Sequence, residues 1–165
     1  MRKSAIIIKK DAHVHHPQHG IGKIQSIRKR SFYQSEEANY AQLYFERDAL
    51  TLTLLEKDLA NTVRRLITAK EARDLLDQTR NWDGEAKSQW KARADTHEAA
   101  ISGGNPFEYA KVVKELNKMD PDEPLRNRDR ANLDQSFNLL VEELAQALKK
   151  TPKQAHKLIS EATGA

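Results

Sequence analysis

The sequence predicts an α+β protein in which a small β-sheet or barrel over residues 1–66 precedes a helical unit over residues 67–165. Two observations carry this prediction: apolar residues alternate before residue 66, and they recur at three- and four-residue spacing after it. A chain of 165 residues with 38% hydrophobic side chains can also divide into two small domains, each with its own core. We therefore expect two domains, with about five helices in the second.

The strands are predicted from alternation. In NYAQLYFERDALTLTLLE, Leu43 and Phe45 share one face, the chain turns at ERDA, and apolar residues return on one face at Leu50, Leu52 and Leu54. This pattern is typical of a β-hairpin. The preceding segment GIGKIQSIRKRSF is also strand-like, although Ile24 and Ile27 are three residues apart. A β-bulge between them would place both on the core face.

The first two helices are predicted from their ends. Thr68 and Glu71 have the spacing of a capping box, which indicates a helix from there to about Arg80. A second helix is expected from about Ala86 to Ile101. It should end in SGGNP, where a glycine can adopt the left-handed conformation that terminates helices.

Three more helices follow. Pro106 suits the first position of a third helix, and Thr151 with Pro152 predicts the start of a fifth. The fourth and longest is expected from about Arg128 to Lys149, after the polar loop DPDEPLRNRD, to which we assign no site. Its predicted core stripe consists of Leu133, Phe137, Leu140, Leu144 and Leu148.

The composition excludes several classes of protein. The chain has no cysteine, which excludes disulfides and thiolate chemistry. No apolar run approaches the roughly 20 residues of a membrane span, and AIII is too short for a signal peptide. We expect a cytoplasmic protein without a cofactor. The net charge is +4, and residues 1 to 35 carry eight Lys or Arg against one acid, Asp11, which fits either a nucleic-acid or acidic protein partner or a solvated face.

Four of the six histidines lie in HVHHPQHGIGKI, residues 13 to 24. A zinc site would be indicated by a helical HExxH motif, which the sequence lacks. In a strand, His13 and His15 share a face, His16 points to the other, and His19 follows Pro17 in a turn. We interpret these as turn and surface histidines and predict no metal. Because no nucleophile elbow or phosphate loop is present, we predict a non-enzyme; a histidine-metal hydrolase is the alternative.

Several segments together resemble the CarD family of bacterial transcription regulators, including its CdnL-type members. They are HHPQHGIGKIQSI, the hairpin, QWKARADTHEAAISGGNPFEYAKVVKEL and LDQSFNLLVEELAQAL. The order of glycine turn, hairpin, tryptophan-containing helix, GNP and long helix carries the resemblance, which covers nearly the whole chain. In this interpretation Pro17 and Gly20 shape the first turn, and Gly22 allows close packing.

The resemblance implies two partners. A Tudor-like N-terminal barrel would bind the β subunit of RNA polymerase, and the helical domain would contact promoter DNA in the minor groove at the upstream edge of the melted bubble. The protein would act as a monomer, associated with the nucleoid through polymerase, and would stabilise the open promoter complex. The alternative is an adaptor that acts through the barrel without contacting DNA.

The resemblance also suggests DNA-contacting residues. Trp90 precedes GGNP at the family's spacing and would be an aromatic wedge, with Lys91, Arg93 and Lys87 on phosphates. Periodicity alone predicts instead that Trp90 is buried in the core, because it lies on the same line of the helix as Ala94. Trp82, in an expected loop, is the competing tryptophan. Asp95 and Thr96 depart from the family, whose members often carry basic residues there.

The predicted polymerase contact is Arg30, at the position of a family arginine, with Arg28 and Lys29 beside it. A second family arginine is replaced here by Thr53, and the proline that usually ends that strand is missing. Charge runs of this kind are also common on solvated strand faces.

Overall fold

A computed structural model of the chain describes residues 9–33 and 36–164. The chain forms two compact units, and the boundary falls between Leu66 and Ile67. Within the described ranges, no helix is both long and apolar enough to cross a membrane. Each unit has its own hydrophobic core.

The first unit is an antiparallel sheet. Its strands are β1 (His13–His16), β2 (Gly20–Arg30), β3 (Ala38–Phe45), β4 (Leu50–Leu55) and β5 (Arg64–Arg65), with a 3₁₀ turn (Glu56–Asp58) and one helical turn, α1 (Leu59–Thr62), before β5. The strand order is β4-β3-β2-β1-β5. Among the described residues β4 and β5 do not pair with each other, so the expected Tudor-like barrel is an open five-stranded sheet.

The β2–β3 pairing contains the predicted bulge. Ile24 lies opposite Leu43 and Ile27 opposite Ala41, and the register shifts between Ile24 and Ser26. The extra residue turns Ile27 back toward the core after Ile24, because side chains in a strand alternate between faces. The buried residues of this core are Val14, Ile24, Ala41, Leu43, Phe45, Leu59 and Val63. The predicted hairpin is confirmed, with Leu43 opposite Leu52.

The turn between β1 and β2 depends on two glycines. Gly20 has a φ of 74°, in the left-handed region that favours glycine. Gly22 lies against the Phe45 ring, and a Cβ at this position would be 2.5 Å from Phe45 Cε1. Both roles agree with those expected for this segment.

The second unit is helical, so the α+β class is confirmed. Its described helices are α2 (Ala69–Asn81), α3 (Trp90–Ser102), α4 (Pro106–Asn117), α5 (Asn127–Leu148) and α6 (Pro152–Thr163). Their core includes Leu75, Tyr109, Val113, Leu140 and Ile159. Of the stripe expected on α5, Leu140 and Leu144 are fully buried, whereas Leu133, Phe137 and Leu148 pack against this core partly buried.

The predicted helix starts are correct for α2, α4 and α6. Thr68 and Glu71 form the capping box of α2, the Asn105 side chain caps α4 ahead of Pro106, and Thr151 caps α6. The expected start of the second helix at Ala86 is wrong, because α3 begins at Trp90. The Gln89 side chain caps it by accepting a hydrogen bond from the Ala92 N–H at 2.6 Å.

Candidate nucleic-acid interface

Trp90 is the first residue of α3 and lies at the surface of the helical unit. Its side chain is 42% exposed, whereas Ala94, His97 and Ile101 further along the same line of the helix are buried. The periodicity that predicted burial fails at this residue because the helix has only just begun, so its first turn extends past the core. Lys91, next in the chain, and Lys87, three residues before Trp90, are also exposed.

A cation from another element contacts Trp90. The guanidinium carbon of Arg126, the residue before α5, lies 5.0 Å from the centroid of the indole. This is within the range of a cation–π interaction. Arg130, one turn further along α5, is exposed and donates a hydrogen bond to Asn127. Besides Arg126, three further exposed cations lie within four residues of Trp90 or Arg126 in the chain: Lys87, Lys91 and Arg130.

Arg93 is not on this surface, which corrects its predicted role as a phosphate contact. Its side chain is 4% exposed and pairs with Asp129 through two hydrogen bonds, 2.9 Å from Nε and 2.7 Å from a terminal nitrogen. The other terminal nitrogen donates to the backbone carbonyls of Lys87 and Ser88. Arg93 therefore fixes the chain before Trp90 and joins α3 to α5.

The buried pair has a clear electrostatic signature. Hydrogen bonds from Arg93 hold the pKa of the Asp129 carboxyl below its usual value, against the opposing effect of burial. The same carboxylate accepts a hydrogen bond from the backbone N–H of Arg126 at 3.1 Å. One buried anion thus contacts both the residue that fixes the start of α3 and the backbone of the residue whose guanidinium lies over Trp90.

Asp95, the acidic departure from the family, does not present a free charge. Arg128 on α5 binds it at 2.6 Å and also pairs with Glu98 at 2.7 Å. The hydrogen bond from Arg128 lowers the pKa of Glu98. This pairing offsets part of the negative charge that Asp95 places on the helix of Trp90.

Trp82, the competing tryptophan, is part of the segment between α2 and α3. Its ring lies close to Gly84, where a Cβ would be 2.2 Å from the indole, and the Lys111 ammonium lies 4.5 Å from the ring centroid. Lys114 and Lys118 donate hydrogen bonds to the carbonyls of Thr79, Arg80, Trp82 and Gly84. Trp82 is half-buried in this segment, so Trp90 is the more accessible indole.

The histidine-rich turn is held by its own contacts. His19 is hydrogen bonded to Asp48 at 2.8 Å, and the His16 and His19 rings are 4.7 Å apart. The pKa of His16 is lowered mainly by its partial burial and, to a smaller extent, by the charge of His19. His15 is 1% exposed, so its expected place at the surface is wrong. The described part of the chain contains no group of three metal-ligating side chains.

The predicted polymerase-contacting residues lie at the end of β2, and all three are exposed. Because of the bulge, Arg28 and Arg30 share the outer face of the sheet with Tyr40, which is opposite Arg28. Lys29 points to the other side. Next to them Phe32 is 40% exposed and packs edge-on against Tyr40, with ring centroids 5.0 Å apart. The structure thus places two arginines beside an exposed phenylalanine and a half-buried tyrosine.

Arg126 and Arg130 were missed by the sequence reasoning because they lie in or next to a charge-mixed loop to which no site was assigned. The available signal was three arginines at alternate positions in RNRDR, residues 126–130, with a single acid among them. Which arginine is paired depends on contacts with α3 that are about 30 residues away in sequence. Only the structure distinguishes Arg126 from Arg128.

Comparison with known proteins identifies a family and a relative. The family model for the C-terminal domain of CarD matches residues 74–160. The chain is also 22% identical over 139 residues to a Bacillus subtilis (strain 168) protein named "Putative transcription factor YdeB", a match covering 84% of this chain and 91% of that protein. The family match includes α3 to α5, the helices that carry the surface around Trp90. Since it covers more than half of the chain, this protein belongs to the CarD family.

Proposed function

We propose that the protein is a monomeric transcription regulator that binds the RNA polymerase β subunit through its first unit and promoter DNA through its helical unit. It would stabilise the open complex at the upstream edge of the bubble. Membership of the CarD family supports a role in transcription, and the name of the B. subtilis relative agrees with it. The observation that carries the DNA part is Trp90, an exposed indole at the start of a helix with the Arg126 guanidinium over its ring.

An exposed indole suits the edge of a bubble. Where the strands separate, the terminal base pair has one unstacked face, and an aromatic side chain in the minor groove can stack there and oppose reannealing. Lys87, Lys91, Arg126 and Arg130 can contact phosphates, which gives affinity without base specificity. The protein would therefore recognise the junction rather than a sequence.

The effect on transcription follows from linkage. A protein that binds the open complex better than the closed complex shifts their equilibrium by the ratio of the two affinities. A tenfold ratio corresponds to about 1.4 kcal/mol. Stacking of one base on an aromatic side chain contributes about 1–3 kcal/mol, so a single indole is sufficient for a large change.

The proposed polymerase surface is the outer face of β2 and β3, with Arg28 and Arg30 beside Tyr40 and Phe32. Arginine and aromatic side chains are enriched at protein interfaces. Lys29, on the other face, would contribute to the electrostatic attraction. The β4 edge is uncharged from Leu50 to Leu55. Among the described residues β4 pairs only with β3, so its outer edge would offer backbone groups to a strand of a partner.

The proposal is tested by the lifetime of the open complex on a promoter with a fluorescent bubble reporter and cognate polymerase. Wild-type protein should lengthen this lifetime, and Trp90→Ala should lose most of the effect while it still binds the β subunit in a pull-down. Trp82→Phe is the matched control and should behave like wild type. If wild type neither binds β nor changes the lifetime, the proposal is wrong.

An adaptor without DNA contact is the second candidate. The burial of Arg93 and the acid at Asp95 favour it, because both reduce the positive charge of α3. Its test is deletion of residues 67–165, which leaves the activity of an adaptor intact and abolishes that of a DNA-binding regulator.

A further inference from the structure

We propose that Arg126 is a positioning residue for Trp90: its guanidinium covers one face of the indole, holds the ring in place and binds a DNA phosphate at the same time. This inference rests on the proposed DNA contact of Trp90 and adds a second residue to it. The other face of the ring would remain available for stacking on a base at the junction.

The contact joins two elements that are distant in sequence. Trp90 begins α3 and Arg126 immediately precedes α5, yet the guanidinium carbon is 5.0 Å from the indole centroid. Both side chains are exposed, so burial does not force them together. A planar guanidinium stacks on an aromatic face in a way that a lysine ammonium does not reproduce.

The backbones on both sides of the contact are fixed by the same buried carboxylate. Asp129 accepts the Arg126 N–H at 3.1 Å and forms the two-bond pair with Arg93. Arg93 in turn donates to the carbonyls of Lys87 and Ser88, just before Trp90. The position of Arg126 over the indole is thus preorganised in the free protein, which reduces the entropy cost of ordering the indole on binding.

The Arg126 guanidinium is free to bind an anion. Among the described residues no carboxylate pairs with it, whereas neighbouring Arg128 is occupied by Asp95 and Glu98. When the face of a guanidinium lies on an aromatic ring, its N–H groups still point outward in the guanidinium plane, where they can donate to a phosphate. The partner of this pair of residues is therefore a phosphodiester next to an unstacked base.

The first experiment tests the stack without DNA. In ¹⁵N-labelled full-length protein, Trp82 and Trp90 give two indole N–H signals, which Trp90→Phe assigns. Arg126→Ala should move the Trp90 signal, and Arg130→Ala should leave it in place. The rest of each spectrum reports whether the variant is folded. A Trp90 signal that is the same in Arg126→Ala and in wild type would show that the stack does not form.

The second experiment measures affinity for forked DNA, with an unpaired end, and for the matching duplex over a range of salt concentrations. Arg126→Lys keeps the positive charge but removes the planar guanidinium. It should therefore lower the ratio of fork affinity to duplex affinity about two- to fivefold, without changing the slope of log affinity against log salt concentration. Arg126→Ala should lower the same ratio and also reduce the slope by about one. Arg73→Lys, at an exposed arginine of α2 outside this surface, is the control and should match wild type.

The outcomes separate this inference from the proposed function. If Trp90→Ala has the same fork-to-duplex ratio as wild type, the DNA contact of Trp90 is wrong and the inference fails with it. If Trp90→Ala loses the preference but Arg126→Lys keeps it, Trp90 acts as proposed and Arg126 has no positioning role. A loss of preference in both, with Arg73→Lys unchanged, is the expected result.

Discussion

At the scale of single residues, the helical unit depends on the Asp129 carboxylate. This group is 1% exposed and accepts hydrogen bonds from the side chain of Arg93 and the backbone of Arg126. Removing one partner of a buried ion pair is costly because the other charge stays buried without compensation. Asp129 therefore links stability to the position of Trp90, although it is not itself exposed to DNA.

Asp129→Asn should lower the free energy of unfolding by roughly 3–5 kcal/mol at pH 7, as measured by urea denaturation. The pKa of Asp129 in the folded protein lies below its value in the unfolded chain, and the unfolded value is about 3.9. Its stabilisation is thus present above that pH and is lost as pH falls through the lower folded pKa. The difference between variant and wild type should shrink below about pH 4. Exposed Asp134 is the control, and Asp134→Asn should change stability by less than about 0.5 kcal/mol.

Gly22→Ala tests the close packing in the first unit. Because its Cβ would be 2.5 Å from the Phe45 ring, the buried ring must move, and we expect a loss of roughly 1–3 kcal/mol in thermal or urea unfolding. Gly103→Ala is the comparison, since Gly103 has a φ of −68° and the nearest atom to its Cβ would be 3.4 Å away. Equal losses in the two variants would contradict this account of Gly22.

At the scale of elements, sequence reasoning predicted what depends on neighbouring residues. The capping box at Thr68, the proline at the start of α4 and the bulge between Ile24 and Ile27 all follow from local spacing, and all are present. The start of α3 and the burial of Arg93 were not predicted, because both depend on Asp129, 36 residues further along the chain. The Arg93 side chain donates hydrogen bonds to the carbonyls of Lys87 and Ser88, which would otherwise accept hydrogen bonds from backbone N–H groups if α3 began earlier.

The first turn of α3 should depend on its cap. Gln89→Ala removes the acceptor for the Ala92 N–H and should cost about 0.5–1 kcal/mol, with faster amide hydrogen exchange in residues 90–93. Gln89→Asn restores a favoured capping residue and should return exchange toward the wild-type rate. If the alanine variant exchanges as slowly as wild type, the Gln89 side chain does not determine where α3 begins.

At the scale of the whole molecule, the two proposed binding surfaces lie in different compact units. Arg28 and Arg30 belong to the sheet, and Trp90 with Arg126 belongs to the helical unit. Substitutions on one surface should therefore leave the other intact, provided that each variant remains folded.

Charge reversal of both strand arginines, Arg28→Glu with Arg30→Glu, should weaken capture of the β subunit at least tenfold and leave the affinity of the free protein for forked DNA within about twofold. Trp90→Ala should show the opposite pattern in the same two assays. A loss of DNA affinity in the arginine variant that matches the loss of polymerase binding would contradict separate surfaces.

The bulge in β2 determines how relatives can be compared. If the same residues from Ile24 to Arg30 paired regularly, without the bulge, strand alternation would turn Arg28 and Arg30 toward the core face and Lys29 outward. A homologue with a regular strand here would expose a different set of side chains, even where its aligned residues are identical to those of β2. Equivalent arginines among relatives must therefore be counted from the bulge. A relative that lacks both the bulge and its extra residue keeps the same outward face, whereas one that has the same number of residues in a regular strand exposes the opposite face.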